Sequence, residues 1–282
     1  MNRDFLRHLE KKLKVKILSV IRLYGGCINK AYKLETLRGH YFVKFNSSLN
    51  LFSSEEKGLV ELKLSKTFYT PEVIMTGRYV GTYYIIMEFI EPDNIKDNFW
   101  ELFGQKLAIL HKSHKDRFGL EYDNYIGSFP QINSFEFKSV DFFINARILP
   151  QLKILENRLS VNLYSDFCKL FKLLPDIMPL EKASLIHGDL WNGNYLVNKH
   201  GYPTLIDPAI YYGSREVDIA MTKLFGGFPQ KFYNSYNLEF PLVSNWQERL
   251  DIWNLYPLLV HANLFGVNYI SQIQTILKRF SD

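Results

Sequence analysis

Short apolar runs with the length of β-strands dominate the first ninety residues of this chain. After an amphipathic helix predicted at residues 4–13, strands are predicted at residues 15–24, 31–35, 41–45, 71–75 and 82–90. One helix, residues 53–68 with Ser53 as its N-cap, separates the third strand from the fourth. The pattern therefore predicts a five-stranded antiparallel sheet together with one helix.

Beyond residue 91 the apolar residues recur at helical spacing. Helices are predicted at residues 95–112, 140–156, 161–174, 215–225, 229–236, 246–265 and 269–280, with Pro175 and Pro179 closing the third. Residues 120–133 predict a long irregular loop, and loops of that length in compact domains are often functional. The chain is therefore predicted to be α+β, with domains at residues 1–90 and 91–282.

The stretch at residues 185–208 carries the candidate chemistry and reads LIHGDLWNGNYLVNKHGYPTLIDP. Its Val-Asn-Lys-His-Gly segment predicts a hairpin turn in which Gly201 adopts a positive φ, so that Asn194 and Asp207 lie close together. An amide and a carboxylate oxygen suit Mg²⁺, and Asp189 remains to accept a proton from a hydroxyl group. The spacing from Asp189 to Asn194 is the D-x-x-x-x-N of protein kinases. The alternative is an Asx-rich hairpin that only stabilises its own turns.

Three features of the N-terminal part fit a nucleotide site. Gly25 and Gly26 are predicted to form a tight turn between two strands, which would let the backbone approach phosphates, although such a turn also occurs in plain hairpins. Lys44 lies within an apolar strand, where its charge requires a partner such as the nucleotide phosphates and a helix glutamate. Residue chemistry alone does not decide whether Glu55 or Glu56 is the partner of Lys44. In the alternative, Lys44 extends to solvent and the glutamates stabilise the helix dipole.

The end of the fifth predicted strand has the position of an adenine-binding linker. Residues Met87, Glu88, Phe89 and Ile90 precede Pro92, which stops the strand. In a two-lobed kinase the main-chain groups of this linker bind adenine. We therefore predict a two-lobed protein-kinase-like fold, with residues 1–90 as the ATP-binding lobe. Residues 91–282 are predicted to form the α-rich lobe with the catalytic loop and the substrate site.

Composition and charge exclude several classes of protein. The 282 residues are 47% hydrophobic and 22% charged, with a net charge of +5 that is too small to indicate nucleic-acid binding. No apolar run reaches the roughly 18 residues of a membrane span, and the N-terminus lacks a signal-peptide core. The two cysteines, Cys27 and Cys168, indicate neither a zinc site nor a disulfide framework. We therefore expect a cytoplasmic protein that does not bind membranes.

Two polar residues of the predicted helical lobe are assigned structural roles. His111 follows an apolar stretch, and we expect it to be a hydrogen-bonded core histidine rather than a catalytic one. Asp218 lies within a predicted helix, and we expect it to hold the catalytic loop rather than to act as a second base.

Several motifs together resemble one known family. They are GGCINKAY, YFVKFN, MEFI, DNYIGSFPQ, HGDLWNGN, LIDPAIYYG, REVDIAMTKLFGGFP and HANLFG. They are similar to the fructosamine kinase (ketosamine-3-kinase) family, which belongs to the aminoglycoside-phosphotransferase-like branch of the protein-kinase-like fold. The resemblance extends from about residue 18 to residue 280. The HGDxxxxN motif by itself would not exclude the choline, homoserine and aminoglycoside kinases.

The resemblance implies an activity and a set of site residues. It implies ATP-dependent, Mg²⁺-dependent phosphorylation of the sugar 3-hydroxyl of a ketosamine such as a fructosamine or a ribulosamine. The product would then release the free amine, which is a deglycation repair activity. By resemblance, Asp189 is the catalytic base, Asn194 and Asp207 are the Mg²⁺ ligands, Lys44 is the ATP lysine and Glu55 is its helix partner. The linker residues named above match the adenine-binding segment.

Two other functions compete with this one. The chain could be a kinase of another small hydroxyl compound, such as an aminoglycoside or an amino alcohol. It could also be a nucleotide-binding pseudokinase that acts as a regulator, although each expected phosphoryl-transfer residue is present.

Trp191 is a candidate substrate-binding residue, because it follows Asp189 by two positions. A ketosamine contains a protonated secondary amine, and an indole face attracts such a cation by about 0.5 to 2 kcal/mol. We therefore predict that Trp191 stacks on the substrate amine or sugar. The alternative is a packing role in the catalytic loop.

Cys27 is a candidate redox residue at the tip of the glycine turn. Nearby N–H groups and Lys44 could lower the pKa of its thiol and make it oxidisable. A disulfide between two copies would make the protein a monomer or a redox-dependent homodimer. The alternative is an inert small side chain.

Overall fold

A computed structural model of the protein describes residues 1–24, 30–46, 51–155 and 161–280. The chain divides into two compact units. The N-terminal unit comprises Met1–Phe99 and Gly193–Pro208, and the C-terminal unit comprises Trp100–Asn192 and Ala209–Asp282. Among the helices that lie in the described ranges, none has the length and apolarity needed to cross a membrane. The assignment of residues 1–90 and 91–282 as ATP-binding and catalytic lobes stays a prediction.

The N-terminal unit contains the predicted five-stranded antiparallel sheet. Its strands, in the spatial order β1-β2-β3-β5-β4, are β1 (Ile17–Leu23), β2 (Lys30–Thr36), β3 (Gly39–Asn46), β5 (Thr82–Glu88) and β4 (Val73–Tyr79). Tyr84 and Ile86 of β5 pack in one apolar cluster, whereas Ile85 and Met87 pack in another. The alternation of side chains along a strand explains this division, and burial on both faces explains why β5 is continuously apolar.

The two helices of this unit pack in the two clusters. The first cluster includes Phe5 and Leu9 of α1 (Arg3–Leu13), and the second includes Phe52 and Leu59 of α2 (Phe52–Leu64). The N-cap of α1 is Asn2, whose Oδ1 accepts a hydrogen bond of 2.8 Å from the main-chain N–H of Phe5. The amphipathic pattern at residues 4–13 is therefore confirmed.

The predicted boundaries of α2 are wrong at both ends. The helix begins at Phe52, so Ser53 is not its N-cap, and the cap position has no side-chain hydrogen bond. Burial of the Phe52 side chain explains the earlier start, because the apolar contact stabilises the first turn without a polar cap. The helix ends at Leu64 instead of continuing to residue 68, and Lys66 has a left-handed φ of 56°. A residue in that conformation cannot continue an α-helix.

The predicted hairpin lies in the N-terminal unit. Strands β10 (Tyr195–Val197) and β11 (Pro203–Leu205) pair antiparallel, and Gly201 in their connection has a φ of 73°. The Oδ1 atom of Asn198 accepts hydrogen bonds from the N–H groups of His200 and Tyr202, which closes the turn. The main-chain prediction for this stretch is therefore confirmed.

The C-terminal unit is rich in helices. Its elements are α3 (Phe99–His111), α4 (Ser139–Phe142), a π-helix (Phe143–Ile148), α5 (Leu149–Leu155), α6 (Val161–Ile177), α7 (Glu216–Leu224), α8 (Gln230–Glu239), α9 (Trp246–Phe265), a 3-10 helix (Val267–Tyr269) and α10 (Ile270–Lys278). A small sheet has the order β12 (Tyr211–Gly213), β9 (Ala183–Ile186) and β6 (His114–Lys115). Pro175 lies inside α6 rather than closing it, so the predicted end at residue 174 is wrong, whereas Pro179 lies two residues beyond the observed end. Burial of Leu174 and Met178 favours continuation of the last turn.

The segment at residues 120–133 is not irregular, contrary to the prediction. It contains the antiparallel pair β7 (Asn124–Ile126) and β8 (Phe129–Gln131), connected through Gly127, which has a φ of 59°. Buried amide side chains, rather than alternating apolar residues, hold this β7–β8 hairpin. The hydrophobic pattern therefore carries no signal for it.

Candidate active site

Lys44 on β3 forms a buried ion cluster with two carboxylates of the N-terminal unit. The Lys44 residue is 7% exposed, its Nζ donates to Glu55 Oε1 at 2.8 Å, and it also donates to Asp207 Oδ1. Glu56 faces elsewhere, since its Oε2 accepts from the Thr76 hydroxyl at 3.2 Å. The structure therefore selects Glu55 over Glu56 as the partner of Lys44 and adds Asp207 to the pair.

This cluster places two carboxylates against one ammonium group. Burial opposes the charge of Lys44, but attraction to Asp207 and Glu55 outweighs burial and raises the pKa of Lys44. Burial raises the pKa of Glu55 to about 7; Lys44 opposes this shift, and the second carboxylate, Asp207, adds to it. Two carboxylates face one ammonium group, and an additional cation would relieve their repulsion.

Asn194 and Asp207 are joined through the hairpin that carries them. The N–H of Ile206 donates to the carbonyl of Asn194 at 3.1 Å, so Asp207 directly follows a residue bonded to Asn194. Asp207 has a left-handed φ of 53°, a conformation that Asp tolerates better than most residues and that is frequent at functional sites.

The donor set of this hairpin fits a magnesium ion. The Asp207 side chain is 40% exposed despite its contact with Lys44. An amide oxygen and a carboxylate, next to the second carboxylate of Glu55, are ligands that Mg²⁺ prefers. Within the ranges that the structure describes, no group of three or more His, Cys, Asp or Glu side chains gathers as it would around a transition metal. The ligand roles of Asn194 and Asp207 stay predictions.

The loop that carries Asp189 is held from within the C-terminal unit by a buried carboxylate. Asp218 on α7 accepts hydrogen bonds from the N–H groups of His187 at 2.7 Å and Gly188 at 2.9 Å. His111 Nε2 contacts the same carboxylate at 3.1 Å, and the other ring nitrogen of His111 bonds to the Tyr236 hydroxyl at 2.8 Å. Burial opposes ionisation of Asp218, but these partners outweigh burial and lower the pKa of Asp218. The structural roles expected for Asp218 and His111 match these contacts.

Gly188, directly before Asp189, occupies a position that only glycine fits. Its φ is 81°, and a Cβ there would overlap the carbonyl oxygen of Ala209. The N–H of Ala209 in turn donates to the carbonyl of His187 at 2.9 Å. We did not single out Gly188 from the sequence, although the HGD motif contains the signal.

Trp191 is half-buried and has an aromatic neighbour. Its ring lies 5.9 Å from that of Phe225 at an interplanar angle of 71°, and Phe225 lies 5.0 Å from His261. Asn192 Nδ2 donates to the carbonyl of Phe225 at 3.2 Å, which ties this loop to the end of α7. Both the substrate-stacking and the packing role remain compatible with this geometry, so the role of Trp191 stays a prediction.

The predicted adenine linker begins within β5 and continues past its end. The N–H of Glu88 donates to the Glu72 carbonyl at 2.8 Å, and the N–H of Phe89 donates to the His40 carbonyl at 3.4 Å. A base bound here would therefore use main-chain groups other than these two N–H groups. Met87 and Ile90 are buried. The adenine-binding role of all four residues stays a prediction.

Three predicted site residues lie outside the described part of the chain. Gly25, Gly26 and Cys27 fall in the gap between residues 24 and 30. The phosphate-loop and redox hypotheses therefore stay predictions that rest on sequence.

Comparison with known proteins finds a matching family model and similar proteins. The family model described as fructosamine kinase matches residues 1–282. A probable ketoamine kinase of Vibrio parahaemolyticus is 40% identical over 272 residues, covering 94% of this chain and 93% of that protein. The chloroplastic protein-ribulosamine 3-kinase of Arabidopsis thaliana is 36% identical, covering 98% of this chain and 87% of that protein.

Solved structures show the same fold. A Thermobifida fusca crystal structure, described as that of a fructosamine-3-kinase, has a TM-score of 0.87 and 29% identity, covering 99% of this chain and 98% of that chain. The aminoglycoside phosphotransferase APH(4)-Ia, solved in a ternary complex with ADP and hygromycin B, has a TM-score of 0.67 at 13% identity, covering 98% of this chain and 99% of that chain. The two-lobed protein-kinase-like fold predicted from the sequence is thus confirmed. The match over the whole chain, together with these identities, shows that the chain belongs to the fructosamine kinase family.

Proposed function

We propose that this protein transfers the γ-phosphoryl group of ATP to the sugar 3-hydroxyl of a ketosamine. The observation that carries the proposal is the contact of Lys44 with both Glu55 and Asp207, on a chain that belongs to the fructosamine kinase family. The names of its relatives, ketoamine kinase and protein-ribulosamine 3-kinase, support a ketosamine as the acceptor. The phosphorylated product would release the free amine, which makes the activity a deglycation repair.

In this proposal each polar residue has one task. Asp189 accepts the proton of the 3-hydroxyl while the oxygen forms its bond to the γ-phosphorus and the bond from phosphorus to ADP breaks. Lys44, oriented by Glu55, binds phosphate oxygens of ATP. Asn194 and Asp207 would hold Mg²⁺, which when bound neutralises phosphate charge. The short chain segment between Asp189 and Asn194, which are five positions apart, links the base to the ligands.

Two alternatives have less support. An aminoglycoside or an amino alcohol as acceptor is not favoured, because relatives that are 40% and 36% identical to this chain are named for ketoamines and ribulosamines. A pseudokinase regulator is not favoured either, since Lys44, Glu55, Asp189, Asn194 and Asp207 are all present.

A panel of acceptors tests the proposal directly. We expect ATP consumption with fructosyl-lysine or ribulosyl-lysine, free or within a protein, and none with lysine, kanamycin or ethanolamine. A 3-deoxy analogue of the active ketosamine is the matched control, because it keeps the amine and the ring but lacks the acceptor oxygen. Turnover with kanamycin or ethanolamine in the absence of turnover with any ketosamine would contradict the proposal.

Substitution of Trp191 tests its proposed contact with substrate. Trp191→Ala should raise KM for the ketosamine by about 2- to 30-fold, because that is the range a cation–π contact of about 0.5 to 2 kcal/mol supplies. The KM for ATP should change by less than about twofold on the same grounds. Trp246→Ala, which removes another half-buried indole of the C-terminal unit, is the control and should leave both constants near wild type. Equal effects of Trp191→Ala on both substrates would favour the packing role.

A further inference from the structure

The β7–β8 hairpin buries three amide side chains behind the loop that carries Asp189. They belong to Asn124, Gln131 and Asn133, and Gln131 is 1% exposed. Asn133 Nδ2 and Gln131 Nε2 both donate to Asn124 Oδ1, at 2.9 and 2.8 Å. Buried amides are costly unless their donors and acceptors are satisfied. Such a cluster therefore indicates a specific task rather than core filling.

Gln131 connects this hairpin to the main chain that follows Pro208. Its Nε2 donates to the Ala209 carbonyl at 3.0 Å, and its Oε1 accepts from the Tyr256 hydroxyl on α9 at 3.0 Å. Asn124 Nδ2 donates to the next carbonyl, that of Ile210, at 2.8 Å. The two amides therefore bind successive carbonyl groups and set the position of this segment.

A buried cation holds the same segment from a second side. Arg147 lies in the π-helix, is 1% exposed, and has its guanidinium carbon 3.8 Å from the centroid of the Tyr211 ring. It donates to Asn133 Oδ1 at 2.8 Å and to the Ile132 carbonyl. Across the described ranges no carboxylate forms an ion pair with Arg147, so carbonyl groups and aromatic faces stabilise its charge. π-Helical turns of this kind frequently occur at functional sites.

Both sides converge on Gly188. The Ala209 carbonyl oxygen, which Gln131 binds, occupies the space that a Gly188 Cβ would need. The Tyr211 ring, on which Arg147 stacks, would lie 3.3 Å from the same Cβ. Asp218 binds the N–H of Gly188 from its own side. Gly188 is thus confined by two packed segments and one carboxylate, and Asp189 is the next residue.

We propose that Gln131 is a positioning residue of the phosphoryl transfer. It fixes the position of the Ala209 carbonyl. It thereby fixes the position of Gly188 and the orientation of Asp189, the next residue. This inference rests on the proposed role of Asp189 as the base. It assigns a task to the DNYIGSFPQ segment, which is to orient the base.

Three variants test the role of Gln131. Gln131→Met keeps the volume but removes all three hydrogen bonds, and Tyr256→Phe removes only the hydroxyl that orients the amide. The control is Gln151→Met, because Gln151 is 2% exposed and its Oε1 accepts from Asn263 Nδ2 at 2.8 Å, away from residues 209–211. Gln131→Met and Gln151→Met each lose a buried amide, so both should lower the Tm.

The kinetic constants separate positioning from stability. Gln131→Met should lower kcat by about tenfold to hundredfold, the range expected for a misplaced reacting group, with KM for ATP and for ketosamine within about twofold. Tyr256→Phe should lower kcat by a smaller factor, and Gln151→Met should leave kcat per folded molecule near wild type. If Gln131→Met does not fold, Tyr256→Phe tests the positioning role: its kcat should be lower than that of Gln151→Met.

Asp189→Asn, assayed beside these variants, distinguishes the two possible failures. If Asp189→Asn is inactive while Tyr256→Phe and any folded Gln131→Met retain wild-type kcat, the positioning role is overturned and the base assignment stands. An active Asp189→Asn overturns the base assignment, and the positioning role falls with it. Equal losses of kcat in Gln131→Met and Gln151→Met would also overturn the positioning role, since both would then act through stability.

Discussion

Asp189→Asn should lower kcat by about 10² to 10⁴-fold while the Kd for ATP stays near that of the wild type. General-base catalysis contributes about that factor, and an amide cannot accept the hydroxyl proton. The loop itself should persist, because its contacts with Asp218 are made by the N–H groups of His187 and Gly188 and not by the Asp189 carboxylate. The measurement is kcat with a ketosamine, together with calorimetric titration of ATP.

A control carboxylate distinguishes chemistry from a general charge effect. Asp176→Asn removes one exposed carboxylate of the same unit, near the end of α6, and should leave kcat unchanged. Near-normal turnover by a folded Asp189→Asn protein would remove Asp189 from the role of base.

Asp207→Asn should abolish most activity through the metal and not through the fold. The variant keeps an oxygen donor but loses the charge that attracts Mg²⁺, and we expect kcat at ordinary Mg²⁺ concentrations to fall by more than about hundredfold. Lys44 would still have Glu55 at 2.8 Å, so its charge would remain paired and the N-terminal unit should stay folded. The measurement is activity against Mg²⁺ concentration, with the Tm determined in parallel.

The expected signature is a higher Mg²⁺ requirement at an almost unchanged Tm. Asp97→Asn is the control, because it removes an exposed carboxylate of the same unit. Identical Mg²⁺ dependence in Asp207→Asn and the wild type would exclude Asp207 as a metal ligand. A large decrease in Tm would instead indicate that Asp207 mainly stabilises Lys44.

Much of the fold follows from local pattern. The strands around β3 and β5 and the hairpin with Gly201 were predictable, because apolar alternation and turn chemistry act over a few residues. The start of α2 was not predictable from its polar cap signal, since burial of Phe52 outweighs the cap that Ser53 offers. The β7–β8 hairpin escaped the pattern altogether, because side-chain amides at 124, 131 and 133 hold it.

The chemistry of the site was encoded mainly in residue type and spacing. The five-residue spacing from Asp189 to Asn194, and the lysine in an apolar strand, define candidate groups without any coordinates. The preference for Glu55 over Glu56 as the partner of Lys44 came from family resemblance. Only the fold gave it a physical basis, because Lys44 donates to Glu55 whereas the Thr76 hydroxyl donates to Glu56. Lys44 and Glu55 are eleven residues apart, on a strand and a helix that have no relative orientation until they pack.

The sequence by itself therefore determined which groups could perform the chemistry, the strand and helix content, and membership in a kinase family. Tertiary structure alone decided which of these groups form ion pairs with one another and which contacts hold the loop that carries Asp189. Local pattern reflects short-range propensity, whereas Gln131 and Ala209 are far apart in the chain and meet only in the folded protein. A buried amide or guanidinium such as Arg147 is recognised only after folding, because burial is a property of the packed molecule.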